Sequence, residues 1–285
     1  MTKLRVQWNF GNTCNLDCNY CHPDLNSNSW PFPDLDKLLP AFDRLHHICQ
    51  RIDEVEISIL GGEPTYSHSL RYIIENYCKD NFKFRLSSNG YAAHGWWQNI
   101  KEKLNWVSLT YHLSQDLYVF IDKADVVKDR SDVLIAIEPQ HWDFGIKAYQ
   151  ELKKINQLTQ LQFLYKNFTR GNSIFLDYSK EQWDYYYKEQ GIDTAQPSQV
   201  EKTIEFKRQN SLNDYYGHMC WAGVDQIIIN HYGDVYRGWC FTGHLGNIYN
   251  EGFELLDYAR PCPKFQCTNG FDLQARKSQG TWGMA

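Results

Sequence analysis

Between residue 4 and about residue 165, six short strand patterns alternate with five helical ones. The strands read at 4–10, 54–60, 82–88, 105–111, 133–138 and 160–165, and the helices near 34–51, 67–80, 94–103, 116–128 and 144–156. Repeated β/α units joined by short loops predict a parallel sheet, helices outside it and right-handed crossovers. The strand interiors narrow this further. In LRVQWNF, Leu4, Val6, Trp8 and Phe10 share one face while Arg5, Gln7 and Asn9 share the other. Val55, Ile57 and Ile59 alternate in the same way with Glu54, Glu56 and Ser58, and Phe82, Phe84 and Leu86 with Lys83, Arg85 and Ser87. Parallel strands covered on both faces read as continuous apolar runs, so the alternation favours a curved sheet. Its outer face packs on helices and its inner face lines a polar cavity, with Arg5, Glu56 and Arg85 as candidates for interior ion pairs. An open sheet with one solvated face is the alternative.

After about residue 168 the rhythm changes. YSKEQWDYYYKEQG predicts a helix ending at Gly191, and Gln196 to Asn213 reads as a polar connector. DQIIINHYGDVYRGWCF then reads as two strands around a turn at Gly233-Asp234. The expected division is therefore a barrel over 1–168, a connecting helix and linker over 169–213, and a separate small C-terminal module over 214–285.

A chain of 285 residues, 42% hydrophobic, can bury one good core and a smaller attachment. MTKLRVQWNF has no apolar signal region, and no stretch approaches the ~20 apolar residues of a membrane span. A cytoplasmic location without a membrane partner is expected. The net charge of -5 carries no long single-sign block, which argues against a nucleic-acid partner. In a reducing cytoplasm the nine cysteines are not expected to be disulfides. Cys49 and Cys78 fall on apolar helical stripes and read as buried structural thiols. The other seven form two sets: Cys14, Cys18 and Cys21 near the start, and Cys220, Cys240, Cys262 and Cys267 near the end.

Three thiols on a loop suit a metal centre. Zinc takes four tetrahedral ligands, with His22 available as the fourth; an iron-sulfur cubane also takes four, and a three-cysteine site leaves one iron open. Spacing alone leaves both standing. The loop follows the first strand, at the C-terminal mouth where barrel sites are built. Two further stretches share that mouth: ILGGEPT after the second strand, with paired glycines and Glu63, and LSSNG after the third, with hydroxyl and amide groups suited to a ribose.

Together these loops resemble the radical SAM superfamily: Cys14-x3-Cys18-x2-Cys21 with Tyr20 before the last cysteine, then Gly61-Gly62-Glu63-Pro64, then Ser87-Ser88-Asn89-Gly90. The resemblance covers roughly residues 4–165. It implies an α/β fold, a partial (β/α)6 TIM-like barrel, in which Cys14, Cys18 and Cys21 hold a [4Fe-4S] cluster whose fourth iron binds S-adenosylmethionine. It implies cofactor contacts at Tyr20, Gly61, Gly62, Glu63, Pro64, Ser87 and Asn89, with Glu138 a further candidate. It implies an enzyme that reductively cleaves the cofactor to a 5'-deoxyadenosyl radical and abstracts a substrate hydrogen atom, fed by a flavodoxin- or ferredoxin-type reductant. The stretch from Cys220 to Ile248, followed by Cys262 and Cys267, resembles the SPASM or shorter twitch extension. Four cysteines there imply one auxiliary [4Fe-4S] cluster at Cys220, Cys240, Cys262 and Cys267, a zinc ribbon being the alternative.

Polar residues at later strand ends are candidate substrate contacts: Tyr111 and His112, Glu138 with Gln140 and His141, and Tyr165 with Lys166. His112, at the end of the fourth strand, is also a candidate catalytic residue. Three functions are open: modification of a peptide or protein by crosslinking, epimerisation or oxidation; oxidation or rearrangement of a small metabolite; and electron transfer without catalysis. The GGEP and SSNG loops, useless to an electron carrier, argue against the last.

Overall fold

The computed structural model describes residues 2–278 except 79, 80, 170, 171, 211, 213 and 268. The chain runs β1 (Lys3–Asn9), α1 (Pro23–Asn26), α2 (Leu35–Ile48), β2 (Glu54–Leu60), α3 (His68–Tyr77), β3 (Phe82–Ser88) and α4 (His94–Ile100). It continues with β4 (Leu104–His112), α5 (Leu117–Val127), β5 (Ser131–Ile137), α6 (Trp142–Ile155), β6 (Thr159–Phe163), β7 (Tyr165–Thr169) and β8 (Asn172–Phe175). The six strands and five helices read from the sequence are present, displaced by a few residues at their ends. The end of the second expected helix, at 79–80, lies outside the described residues.

Strands β1 to β6 pair in chain order, all parallel. Their apolar faces turn outward onto the helices, where Leu4, Val6, Trp8 and Phe10 are fully buried. Trp8 stacks on Phe42 of α2 at 4.8 Å between ring centroids. The inner face is polar, as the alternation requires. Glu56 meets Lys3 at 3.0 Å and Arg85 at 3.2 Å. Burial works against its charge, but these two cations hold the carboxyl below its ordinary range. Arg5 departs from expectation. Its guanidinium donates to Gln226 Oε1 at 2.7 Å and Gln274 Oε1 at 2.8 Å, because a strand from the far end of the chain lies alongside it.

Beyond the barrel come α7 (Lys180–Glu189), α8 (Pro197–Val200) and α9 (Ile204–Gln209). A capping box starts α7, with Ser179 and Gln182 bonding each other's backbone, and Gly191 at φ +69° follows its end. The stretch expected as a bare connector thus holds two short helices. Then follow β9 (Met219–Cys220), β10 (Gln226–Ile229), β11 (Asp234–Tyr236), β12 (His244–Asn247), β13 (Gly252–Phe253), β14 (Arg260–Pro261), α10 (Gly270–Leu273) and β15 (Lys277–Ser278).

The hairpin expected around Gly233 is β10–β11, and Asn230 Oδ1 holds its turn by accepting from Tyr232 N and Asp234 N. It does not belong to a separate module. Strand β10 pairs parallel with β1, Arg5 opposite Gln226 and Trp8 opposite Ile229, so one ten-stranded sheet runs from β13 to β6. The outward side chains Ile227, Ile229 and Val235 join the barrel core. Strands β14, β9 and β15 form a second, three-stranded sheet. Among the described residues no helix is long and apolar enough to cross a membrane.

Because Ile227 is fully buried in the shared core, Ile227→Ala should cost about 2–5 kcal/mol. The loss should appear in one cooperative urea transition, read by tryptophan fluorescence and far-ultraviolet circular dichroism together; two separated transitions would show that barrel and extension unfold independently.

Candidate functional site

The cysteine loop leaves β1 without leaving the sheet. Phe10 N donates to Leu60 O at 3.0 Å, Gly62 N to Gly11 O at 2.9 Å and Glu63 N to Thr13 O at 2.8 Å, which carries strand-like pairing four residues beyond β1 and three beyond β2. This close approach explains the two glycines. A Cβ at Gly62 would collide with the Thr13 carbonyl oxygen and one at Gly61 with that of Gly11; Gly61 also sits at φ +144°. The sequence suggested that these glycines admit a ligand. They line the cavity, and they also admit the neighbouring backbone.

Asn12, fully buried, fastens the other side of the loop. Its Oδ1 accepts from Trp30 N at 2.7 Å and its Nδ2 donates to Ser27 Oγ at 2.7 Å. Asn28, in the left-handed region at φ +56°, accepts from Cys14 N at 2.9 Å. These asparagines carry no motif of their own; their burial is a tertiary property that spacing does not reveal. His22, considered as a zinc ligand, caps α1 by accepting from Asp24 N at 3.1 Å.

Glu63 lies beneath the cavity. It is fully buried, and Oε1 accepts from Thr65 N at 2.9 Å, Thr65 Oγ1 at 2.6 Å and Ser88 Oγ at 2.7 Å, while Oε2 accepts from Asn89 N at 2.6 Å. Burial pushes its carboxyl up and the four donors pull it back. It therefore staples the loop after β2 to the loop after β3. Pro64 begins the buried turn beside it. Neither side chain lines the cavity, although both were expected among the cofactor contacts.

A cavity of about 280 Å³ opens between these loops and the ends of the strands. Cys14, Cys18, Cys21, Tyr20, Gly61 and Gly62 line one side; Ser87, Asn89 and His112 continue it; Thr110, Ala136, Gln162, Phe163, Leu164 and Tyr165 face them. That residues from the first and sixth strand ends line one cavity shows the sheet to be curved. Strand parity sorts the other candidates. His112 points inward with Thr110, whereas Tyr111 points outward, fully buried against Phe120 at 5.2 Å. Glu138 accepts from Gln140 at 2.9 Å, and Lys166 pairs with Asp177 at 2.5 Å; Glu138, Gln140, His141 and Lys166 do not line the cavity.

Burial pushes the Cys21 thiol up to about 12, with charge on Cys18 and Cys14 adding to it, and burial likewise raises Cys14 and Cys18. Three such thiols ionise together only around a cationic centre. The donor set fits one: Leu16 N points at Cys14 Sγ at 3.4 Å, Asn89 Nδ2 lies 3.7 Å from the same sulfur, and the buried Asn89 Oδ1 has no partner. Burial lowers the His112 imidazole to about 4.

The match to known proteins follows this geometry. Residues 8–138 match the model of the Radical SAM superfamily. The matched stretch is just under half of the chain. Members of that superfamily bind S-adenosylmethionine and a [4Fe-4S] cluster, and Cys14, Cys18 and Cys21 lie within the matched stretch. An uncharacterized protein of Methanocaldococcus jannaschii is 26% identical over 110 residues, 37% of this chain and 36% of that protein, so the match spans about a third of the relative. Among solved structures, anSMEcpe with bound AdoMet is 18% identical with a TM-score of 0.52, covering 87% of this chain and 78% of that one. SuiB of Streptococcus suis bound to S-adenosylmethionine is 15% identical with a TM-score of 0.56, covering 88% and 64%. BtrN in complex with AdoMet and 2-DOIA is 15% identical with a TM-score of 0.50, covering 88% and 81%. At these identities the likeness is one of fold.

The fold also brings the second cysteine set together. Cys220 on β9 lies opposite Arg260 and Lys277 in the small sheet, and Cys262 follows β14 directly. Cys262 feels the charge of Cys220 and Cys240, and Cys267 that of Cys240 and Cys262. Burial pushes Cys267 up to about 12 while Lys277 draws it back. Asp272 holds the loop beneath, accepting from Trp239 N at 3.0 Å and Cys240 N at 2.9 Å. Lys277 donates to Asp272 O at 2.6 Å. Neither Asp272 nor Lys277 stands in a recognisable motif, and the sequence reading missed both.

Two outcomes follow for this site. Gly62→Ala should leave the protein folded by circular dichroism yet lower iron bound per chain after anaerobic reconstitution, because the added methyl forces the Thr13 backbone away. Glu63→Ala, which leaves buried donors unpaired, should cost on the order of 1–3 kcal/mol in urea unfolding.

Proposed function

We propose that this protein is a radical S-adenosylmethionine enzyme that removes a hydrogen atom from an uncharged side chain of a peptide or protein substrate. One observation carries the substrate class: no Lys, Arg, Asp or Glu is among the described residues that line the cavity. An anionic metabolite buried there would lack a counter-ion, and an unpaired charge in such a site is strongly disfavoured. A neutral residue within a longer chain meets no such penalty. The anSMEcpe fold has also been captured with a Cp18Cys peptide, which agrees with this reading.

When bound, the cluster and S-adenosylmethionine supply one-electron cleavage of a sulfonium and with it the capacity to take hydrogen from an unactivated carbon. The chain's own residues do the rest. Cys14, Cys18 and Cys21 ligate from a loop braced by Gly62, Glu63 and Asn12. Backbone at Gly61–Gly62 and the polar groups of Ser87 and Asn89 orient the cofactor. Phe163, Leu164 and Ala136 receive the substrate side chain and exclude water from it. Cys220, Cys240, Cys262 and Cys267 hold one auxiliary four-iron cluster, a store for the electron that a net oxidation releases. A flavodoxin- or ferredoxin-type protein is the electron source.

Anaerobic reconstitution tests this directly. About eight irons per chain are expected from two four-iron sites, together with dithionite-dependent 5'-deoxyadenosine. Cys14→Ala should abolish that product, whereas Cys240→Ala should remove about half the iron. Zinc in place of iron, or no product from the loaded protein, would overturn the proposal; deuterium moving into 5'-deoxyadenosine from a labelled metabolite but from no peptide would overturn the substrate class.

A further inference from the structure

Residues 22–30 carry the chain away from the last of the three cysteines, and two asparagines tie that return to the cysteine loop. Asn12 N donates to Trp30 O at 2.9 Å while Trp30 N donates to Asn12 Oδ1 at 2.7 Å. Asn28 N donates to Asn12 O at 3.3 Å, and Asn28 Oδ1 accepts from Cys14 N at 2.9 Å. On α1, Asn26 Nδ2 donates to Cys18 O at 3.2 Å. The main chain at Cys14 and Cys18 is therefore held by residues 26–30, a segment that lies in no strand.

What holds Trp30 comes from the far end of the sequence. Its ring stacks on His231 with centroids 4.8 Å and planes 28° apart, and meets Tyr232 edge-on at 4.6 Å and 73°. His231 and Tyr232 are the tip of the β10–β11 hairpin. Because β10 runs parallel to β1, the tip that follows β10 and the loop that follows β1 emerge at the same end of the sheet. The tip is fixed independently of its two rings. Asn247 Nδ2 donates to Tyr232 O at 3.1 Å and Asp234 Oδ1 at 2.8 Å, and Arg44 of α2 donates to the carbonyls of Ile248 at 3.0 Å and Tyr249 at 3.2 Å.

His231 is used here as a ring. Both of its nitrogens are buried, and neither has a hydrogen-bond partner among the described residues. Burial lowers the imidazole below its ordinary range against the opposing charge of Asp24 and Asp234, so the stacking partner is the neutral ring. An unsatisfied buried donor and acceptor oppose this placement; the aromatic contact with Trp30 is what favours it.

We propose that Trp30 and His231 form a clamp: the tryptophan at the end of the cysteine loop, seated on the hairpin tip, fixes residues 26–30 and through Asn12 and Asn28 the main chain of Cys14 and Cys18. Both are positioning residues for the three-cysteine loop. The C-terminal extension thus acts twice on the start of the chain, pairing with β1 through β10 and seating the loop beyond β1 through His231.

Hydrogen–deuterium exchange of the full chain, without iron, tests the clamp. Trp30→Ala and His231→Ala should each speed exchange of the Cys14 and Trp30 amides by about tenfold, as local opening does, while the amides of β2 and β3 keep the wild-type rate. The double variant should exchange no faster than either single one, since one contact is lost once. His231→Phe, which keeps a ring and drops the nitrogens, should restore the wild-type rate. Unchanged exchange in both alanine variants would overturn the clamp, and so would acceleration spread over the whole ten-stranded sheet, the mark of general destabilisation. Failure of His231→Phe to rescue would overturn ring stacking as its basis. After anaerobic reconstitution the alanine variants should hold less iron than the wild type, and His231→Phe as much. This second readout rests on the three cysteines holding a cluster; wild-type protein that binds no iron would overturn that reading, and the exchange pattern would still decide the clamp.

Discussion

Everything at the site hangs on a pair of backbone hydrogen bonds made where no strand is left to make them. Gly62 N to Gly11 O and Glu63 N to Thr13 O extend the β1–β2 pairing into the loops, so a segment that carries three cysteines inherits the rigidity of a sheet. Only glycine at 61 and 62 permits the approach. Glu63 then transmits the same order to the loop after β3 through four hydrogen bonds. Three loops, each weakly structured alone, become one platform. A buried carboxylate held by four donors is a strong positional constraint, because moving any donor leaves part of the group unsatisfied.

How much of this was legible in the sequence depended on the range of the interaction. Strand alternation is local, and it identified the polar inner face, while the succession of β/α units identified the parallel order; neither separated inward His112 from outward Tyr111 until the strand's full extent was seen. Glu56 and Arg85 met as alternation suggested, since their strands are neighbours in the chain. Arg5 did not, because its partners Gln226 and Gln274 come from 221 and 269 residues away, and no local pattern encodes pairing at that distance. The same blindness made the C-terminal hairpin look detached when β10 is β1's second neighbour. Motif residues were found by type and spacing. Their supports were not: Asn12 and Asp272 are ordinary polar residues until folding buries them against main-chain N–H groups.

The charge distribution unites the two ends of the barrel. Its lower interior is ionic, with Lys3, Glu56 and Arg85 in contact, while the cavity at its mouth is lined by neutral side chains and thiols. None of the described lining residues is a carboxylate or a lysine or arginine, but Glu138 is felt at Cys18 and Tyr20 and Glu63 at Cys14, so the field there combines these nearby carboxylates with whatever the cysteines bind.

The insertion of β10 beside β1 also has a consequence in time. Strand β1 is made first but cannot fill both of its edges until residue 229 has left the ribosome, and pairings of such long sequence separation are the slow ones. The cysteine-bearing loop grows from a strand that stays half-paired through most of synthesis, so its final order waits on the C-terminal extension.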